Sequence, residues 1–236
     1  MQADAVLKML QARGSKKARE SMERFGITSV RAFGIPTPVL KSIARKLGRD
    51  HSLATRLWAS GIFEARIIAA MIDEPNKVSR NQMDRWAGAF NSWGICDGCC
   101  CYLFRLTPFA WDKAVEWSKH AKEYVKRASF SLMAYLAVHD KETADPQFQE
   151  LLPIIEREAQ DERPYVRKAV NWALRQIGKR NSRLNHLAIQ SARRIRAQNT
   201  SSARWIARDA LRELESDAVQ RRLKSKTSKL PAKRKK

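Results

Sequence analysis

Tyr124-Val125-Lys126-Arg127-Ala128 is echoed by Tyr165-Val166-Arg167-Lys168-Ala169, in the same order and character, a step of 41 residues along the chain. A step of that size belongs to stacked helical pairs of the HEAT kind, whose repeats run about 40–47 residues. Each helix in such a stack buries one face against its neighbours, and the stack curves around an open groove. In a chain of formal charge +22, a groove lined by Lys and Arg calls for a polyanion. The fold expected is all-α, a curved superhelical array of antiparallel HEAT-like helical pairs (an α-solenoid).

Composition agrees. Gly and Pro together number 17 of 236 residues, so little interrupts a chain rich in helix formers. Between Lys224 and Lys236 stand seven basic residues and no acidic one, which leaves +15 on residues 1–223. The expected division is therefore one repeat domain over 1–223 and a disordered basic tail over 224–236. The charge on the body itself favours DNA or RNA, bound through phosphates in a salt-dependent way. Solvated basic faces, anionic lipid or an acidic protein are the plainer alternatives. No apolar run approaches the ~18 residues needed to span a bilayer. The opening Met1-Gln2-Ala3-Asp4-Ala5 lacks the cationic and apolar blocks of a secretion signal. A cytoplasmic location off the membrane is expected, nucleoid-associated through DNA.

Apolar residues recur at helical spacing. Val125, Ala128, Leu132 and Tyr135 form one stripe. Val166, Ala169, Ala173 and Ile177 form the corresponding stripe one repeat on. Leu184, Leu187, Ala188, Ala192 and Ile195 form another, and Ile206, Ala210 and Leu214 continue it. No stretch alternates strictly, so no strand is expected. The helices expected include 63–72, 79–90, 95–105, 122–138, 147–159, 164–178, 182–196 and 201–214.

The chemistry-bearing residues each carry two readings. Asn91-Ser92-Trp93-Gly94-Ile95-Cys96-Asp97-Gly98 falls between two expected helices. Trp93 and Asp97, four apart, share a face if the turn is helical, but Asp97 also suits a helix cap and Trp93 suits a core. Arg127 and Lys126 are expected on an outer or concave face. Arg127 there is either solvated or a phosphate clamp, its guanidinium fork holding two oxygens, and Lys168 is its counterpart one repeat later. Trp172 either fills core or turns into the groove beside Arg175, where an aromatic on a basic surface stacks on a base or sugar. Arg167, Lys179, Arg208 and Arg212 complete the expected nucleic-acid-binding set. All four cysteines lie between Cys96 and Cys101. Cys96-x-x-Cys99 is half a zinc site; with the nearest His, His120, on another expected helix, burial is the favoured reading. No metal or cofactor is expected.

Beside these residues stands a family resemblance. The chain resembles the AlkD-type DNA alkylation repair family, helical-repeat DNA glycosylases, over roughly residues 5–215. The resemblance is carried by Gly34-Ile35-Pro36-Thr37-Pro38-Val39-Leu40, by Leu57-Trp58 with Glu64-Ala65-Arg66, by Trp93-x-x-x-Asp97, and by Tyr124-Val125-Lys126-Arg127 with Val166-Arg167-Lys168-Ala169-Val170-Asn171-Trp172. It implies hydrolysis of the N-glycosidic bond of cationic N3- or N7-alkylated purines in double-stranded DNA, leaving an abasic site. It implies a monomer with no obligate protein partner. Asp97 would be the catalytic carboxylate beside the sugar, Trp93 and Trp172 would pack on the deoxyribose, and Arg127 would hold the adjacent phosphate. Where some members of that family carry a second carboxylate, this chain has Gly94 and Ile95. A catalytically silent DNA-binding scaffold and a protein-binding helical array are the competing expectations.

Overall fold

The computed structural model describes residues 2–28 and 31–228 of the chain. Among these residues there are fifteen α-helices, two 3-10 helices and no strand. They fall into two compact units, Met1–Trp111 and Asp112–Lys236, where the sequence reading treats 1–223 as one.

The first unit holds α1 (Ala3–Gln11), α2 (Lys16–Arg24), α3 (Thr37–Leu47), α4 (His51–Ala59), α5 (Phe63–Ile72), α6 (Arg80–Gly88) and α7 (Trp93–Tyr102), then a 3-10 turn at Phe104–Leu106. The division falls within α8 (Ala110–Glu116). The second unit continues with a 3-10 turn at Trp117–Lys119, then α9 (Glu123–His139), α10 (Asp145–Gln149), α11 (Leu152–Glu158), α12 (Pro164–Gly178), α13 (Ser182–Arg196), α14 (Ser201–Leu214) and α15 (Asp217–Ser228).

Helix starts follow from local chemistry. Ser15, Asp50, Ser79, Ser92, Asn181 and Thr200 each accept a hydrogen bond from the amide three residues on, satisfying a donor the helix leaves open. Two starts are closed from a distance. Glu123 accepts from the Tyr165 amide at 3.2 Å, at the head of α12. Glu162 repeats the device at the head of α14, accepting from the Ser202 amide at 3.2 Å and Ser201 Oγ at 2.7 Å.

In the second unit α12 packs between α9 and α14, and α13 lies across α11, α12 and α14. Repeat-equivalent residues are thereby neighbours: the Tyr124 and Tyr165 rings stand 5.5 Å apart. The expected stripes face the interior. Val125, Ala128, Leu132, Val166, Ala169, Ala173, Ile177, Leu184, Ala188, Ala192, Ile195, Ile206, Ala210 and Leu214 are all buried, while Tyr135 and Leu187 are only partly covered.

Two expectations are corrected here. The single helix expected over 147–159 is broken into α10 and α11, because Pro153 opens α11 at its first turn and cannot continue a preceding helix. Helix also resumes at Asp217, anchored by buried Val219 and Leu223. It runs through the first residues of the tail expected to be disordered from 224; residues 229–236 of that expectation lie outside the described residues.

The first unit has an aromatic centre. Trp58 and Trp86 stack face to face at 4.0 Å, with Phe90 edge-on at 6.2 Å from Trp58. The Arg66 guanidinium lies 4.8 Å from the Trp58 ring. Contacts of this kind add about 0.5–1.5 kcal/mol each beyond area burial. Beside it, Glu64 of α5 is fully buried and accepts from the backbone amides of Phe33 at 2.9 Å, Gly34 at 2.7 Å and Ile35 at 3.3 Å. Gly34 has φ +80°, and a Cβ there would lie 2.3 Å from the Ser15 carbonyl oxygen. The Gly-Ile-Pro-Thr-Pro segment is thus folded around one carboxylate.

An ion cluster joins α9 to the loop after α11. Lys126 Nζ lies 2.7 Å from Glu158 and 3.1 Å from Asp161, and Arg163 Nη2 lies 2.6 Å from Asp161. Burial opposes ionisation of Asp161, but hydrogen bonds from Arg163 and Lys126 outweigh it and hold its pKa down at about 2. Its stabilising contribution is therefore complete above the ordinary carboxylate range near ~4 and is lost as pH falls toward about 2. Water reaches part of the cluster, so Asp161→Asn is expected to cost only about 1 kcal/mol at neutral pH. Urea melts across pH should show that cost disappearing at the acid end; a pH-independent cost would contradict the coupling.

Candidate active site

The stretch around Asp97 is helical from Trp93 onward, two residues earlier than expected, because Ser92 Oγ caps the Ile95 amide at 3.4 Å. Asp97 accordingly sits inside α7, and the capping reading is corrected. Along this helix Ile95, Cys96, Gly98, Cys99 and Cys100 are buried, whereas Trp93, Asp97 and Cys101, spaced by four, are only half-buried. The carboxylate is thus neither sealed in the core nor remote from Trp93.

Two glycines set the seat of that stripe. A Cβ on Gly94 would lie 3.1 Å from the Phe63 ring, and one on Gly98 would lie 2.6 Å from Ile67 Cδ1. Phe63 and Ile67 are themselves one turn apart on α5, so α7 lies closer on α5 than larger residues permit. The same Gly94 position is 3.1 Å from Ile27 Cδ1. Trp93 is oriented from outside its helix, its indole N–H donating to the Phe25 carbonyl at 2.9 Å.

The cysteines behave as core. Cys96, Cys99 and Cys100 are buried and Cys101 is partly covered. Burial, above all, pushes the Cys99 and Cys100 thiols well above the usual range. Among the described residues no group of three or more His, Cys, Asp or Glu is arranged to hold a metal ion.

In the second unit Trp172 is half-buried on α12. Its ring meets Tyr135 edge-on at 4.9 Å. The Gln176 amide, turned with its oxygen inward, accepts from Trp172 Nε1 at 3.1 Å and Lys179 Nζ at 3.3 Å. Arg127 departs from expectation. It is only 7% exposed and donates from Nη1 to the Tyr165 carbonyl at 2.7 Å, because α12 packs directly over that turn of α9. Its sequence counterpart Lys168 is exposed, 5.9 Å from the Tyr165 ring.

Most of the expected DNA-binding cations have carboxylate partners within the protein. Besides Lys126, Arg175 pairs with Glu213 and stands 3.6 Å from Asp209. Lys179 pairs with Glu213, and Arg212 with Asp209. Arg167 lies over the Trp205 ring at 5.0 Å, and Arg208 is exposed on α14. Sequence reasoning missed these pairings. The signal was available in Asp209 and Glu213, one turn apart on α14, two helices after Arg175 and Lys179. It also missed the role of Glu64, a buried acid that with Arg66 interrupts a largely apolar helix.

The architecture is that of an all-helical HEAT-like repeat protein. It superposes on a member of a family of proteins related to the HEAT-like repeat DNA glycosylases with affinity for branched DNA structures. The TM-score is 0.74 at 21% identity, over 91% of this chain and 96% of that one. A designed armadillo repeat protein in complex with a (KR)4 peptide also matches, with a TM-score of only 0.39 at 13% identity over 93% of this chain and 91% of that one. No curated protein sequence matches the chain significantly. The sequence profile of the DNA alkylation repair enzymes matches residues 6–214, and the chain belongs to that family. Among the described residues no helix is long and apolar enough to cross a membrane.

Proposed function

We propose that the protein is a monofunctional DNA glycosylase that removes cationic N3- and N7-alkylated purines from double-stranded DNA and leaves an abasic site. The observation that carries this reading is the half-buried Trp93–Asp97 stripe on α7, an aromatic ring and a carboxylate one turn apart on a helix otherwise packed into apolar surroundings. Alkylation at N3 or N7 makes the purine a cationic leaving group, and its departure leaves an oxocarbenium-like sugar. A carboxylate about 4 Å from that charge stabilises it by roughly 4 kcal/mol at an effective dielectric near 20. Aromatic faces add a smaller attraction to the developing cation.

In this reading Asp97 stands by the sugar and orients the attacking water. Trp93 packs on the deoxyribose, and in the second unit the half-buried Trp172 offers an aromatic face to DNA. The protein acts as a monomer on DNA in the cytoplasm. Its basic surface binds the duplex through phosphates, so affinity falls steeply between about 50 and 200 mM salt.

The deciding experiment is incubation with methylated genomic DNA followed by chromatography of the released bases. Free 7-methylguanine or 3-methyladenine, with strands that stay intact until heated in base, is the expected result. No released base would leave a DNA-binding scaffold. Nicking without heat or base would mean that a lyase step follows base loss.

A further inference from the structure

The end of the second unit carries an aromatic and basic pocket that the base-excision chemistry does not use. Along the edge of the unit, Tyr124 and Tyr165 occupy equivalent positions of successive repeats, and Trp205 follows Tyr165 by a nearly equal step. The first two rings sit against each other at 5.5 Å. Trp205 instead has the Arg167 guanidinium 5.0 Å from its ring, and it lines a cavity of ~640 Å³ between the end of α13 and one face of α14. Arg196, Arg204 and Arg208 line the same cavity, and none of the three is in an ion pair among the described residues. The single carboxylate in the wall, Glu215, is matched by Arg193 at 3.0 Å. The Arg167 Nε is buried and finds no hydrogen-bond acceptor among the described residues.

We propose that this pocket binds one unpaired nucleotide of DNA, its base stacked on Trp205 and its flanking phosphates held by Arg196, Arg204 and Arg208. Three Arg side chains and an indole lining one cavity match the two halves of a nucleotide, since Arg forks bind phosphate oxygens in pairs and every base offers a stacking face. The volume is in the range of small-ligand sites, about 300–1,000 Å³. A paired base has both faces covered by its neighbours in the duplex, so stacking on Trp205 selects a nucleotide that is out of the helix, in a gap, flap or single strand. Phosphate alone gains nothing from an indole, and a run of Asp and Glu side chains has no flat ring to lay on it.

The proposal rests on the chain acting on DNA but not on Asp97, and the test keeps the two apart by using undamaged DNA. The full chain is titrated by fluorescence anisotropy with an oligothymidylate of about ten nucleotides and with a blunt undamaged duplex. Trp205→Ala is expected to weaken oligothymidylate binding roughly tenfold, the loss of one base–aromatic stack, and duplex binding by less than about twofold. Trp205→Phe, which keeps a ring in place, should retain most of the affinity and guards against a folding artefact. Polyglutamate should fail to displace the oligothymidylate at matched charge. An unchanged oligothymidylate affinity in Trp205→Ala, an equal loss on both DNAs, or displacement by polyglutamate would overturn the proposal. Base release from methylated duplex that survives in Trp205→Ala and vanishes in Asp97→Asn would show the two sites to be independent.

Discussion

Asp97→Asn is expected to release 7-methylguanine from methylated duplex DNA roughly a thousandfold more slowly than the wild type, the rate equivalent of about 4 kcal/mol. Asn keeps the shape of Asp and removes its charge, so the change isolates electrostatic stabilisation of the sugar cation. Because Asp97 is half-buried on a helix seated by Gly94 and Gly98, the substitution leaves the packing of α7 on α5 alone. Duplex affinity depends on phosphate contacts and should stay within about twofold. The loss therefore belongs in single-turnover rate and not in binding, the pattern of an interaction made only in the transition state. Undiminished release by this variant would mean that another group carries the chemistry.

Glu64→Ala is expected to cost about 3–5 kcal/mol of stability, the scale for stranding buried partners of a lost charged group. Three backbone amides, at Phe33, Gly34 and Ile35, lose their acceptor together. Each buried unsatisfied donor costs about 1–3 kcal/mol. Gly34 cannot relax freely, since its φ of +80° and its closeness to the Ser15 carbonyl tie the segment in place. Glu64→Gln retains one acceptor oxygen but turns a donor toward amides that also donate, so an intermediate loss is expected. Urea melts of the two variants give the comparison. A cost below about 1 kcal/mol for Glu64→Ala would mean that the segment finds other acceptors.

The repeat and its stripes were readable because they depend on spacing alone. Val125, Ala128 and Leu132, and their counterparts from Val166 onward, are buried as helical periodicity requires. The break between α10 and α11 was readable in principle from Pro153 and was missed because the apolar pattern runs through it. α15 was missed because its anchors, Val219 and Leu223, sit among charges that resemble a tail. The pairing of Trp93 with Asp97 on one face followed from their four-residue step, while the start of their helix depended on recognising Ser92 as its cap. Burial of Arg127 was not legible. Arg127 and Lys168 are equivalent in sequence, and only the packing of α12 over α9 makes one covered and the other exposed. Net charge concealed the internal pairing of Lys126, Arg175 and Lys179 for the same reason: composition counts charges but not their neighbours.

Glu123 and Glu162 plug the heads of helices that belong to the following repeat. Any module cut from this part of the chain for grafting or duplication keeps such a joint only if it spans both halves, from Glu123 past Tyr165 or from Glu162 past Ser202. A cut between acid and amide would leave a spare plug on one piece and an open socket on the other.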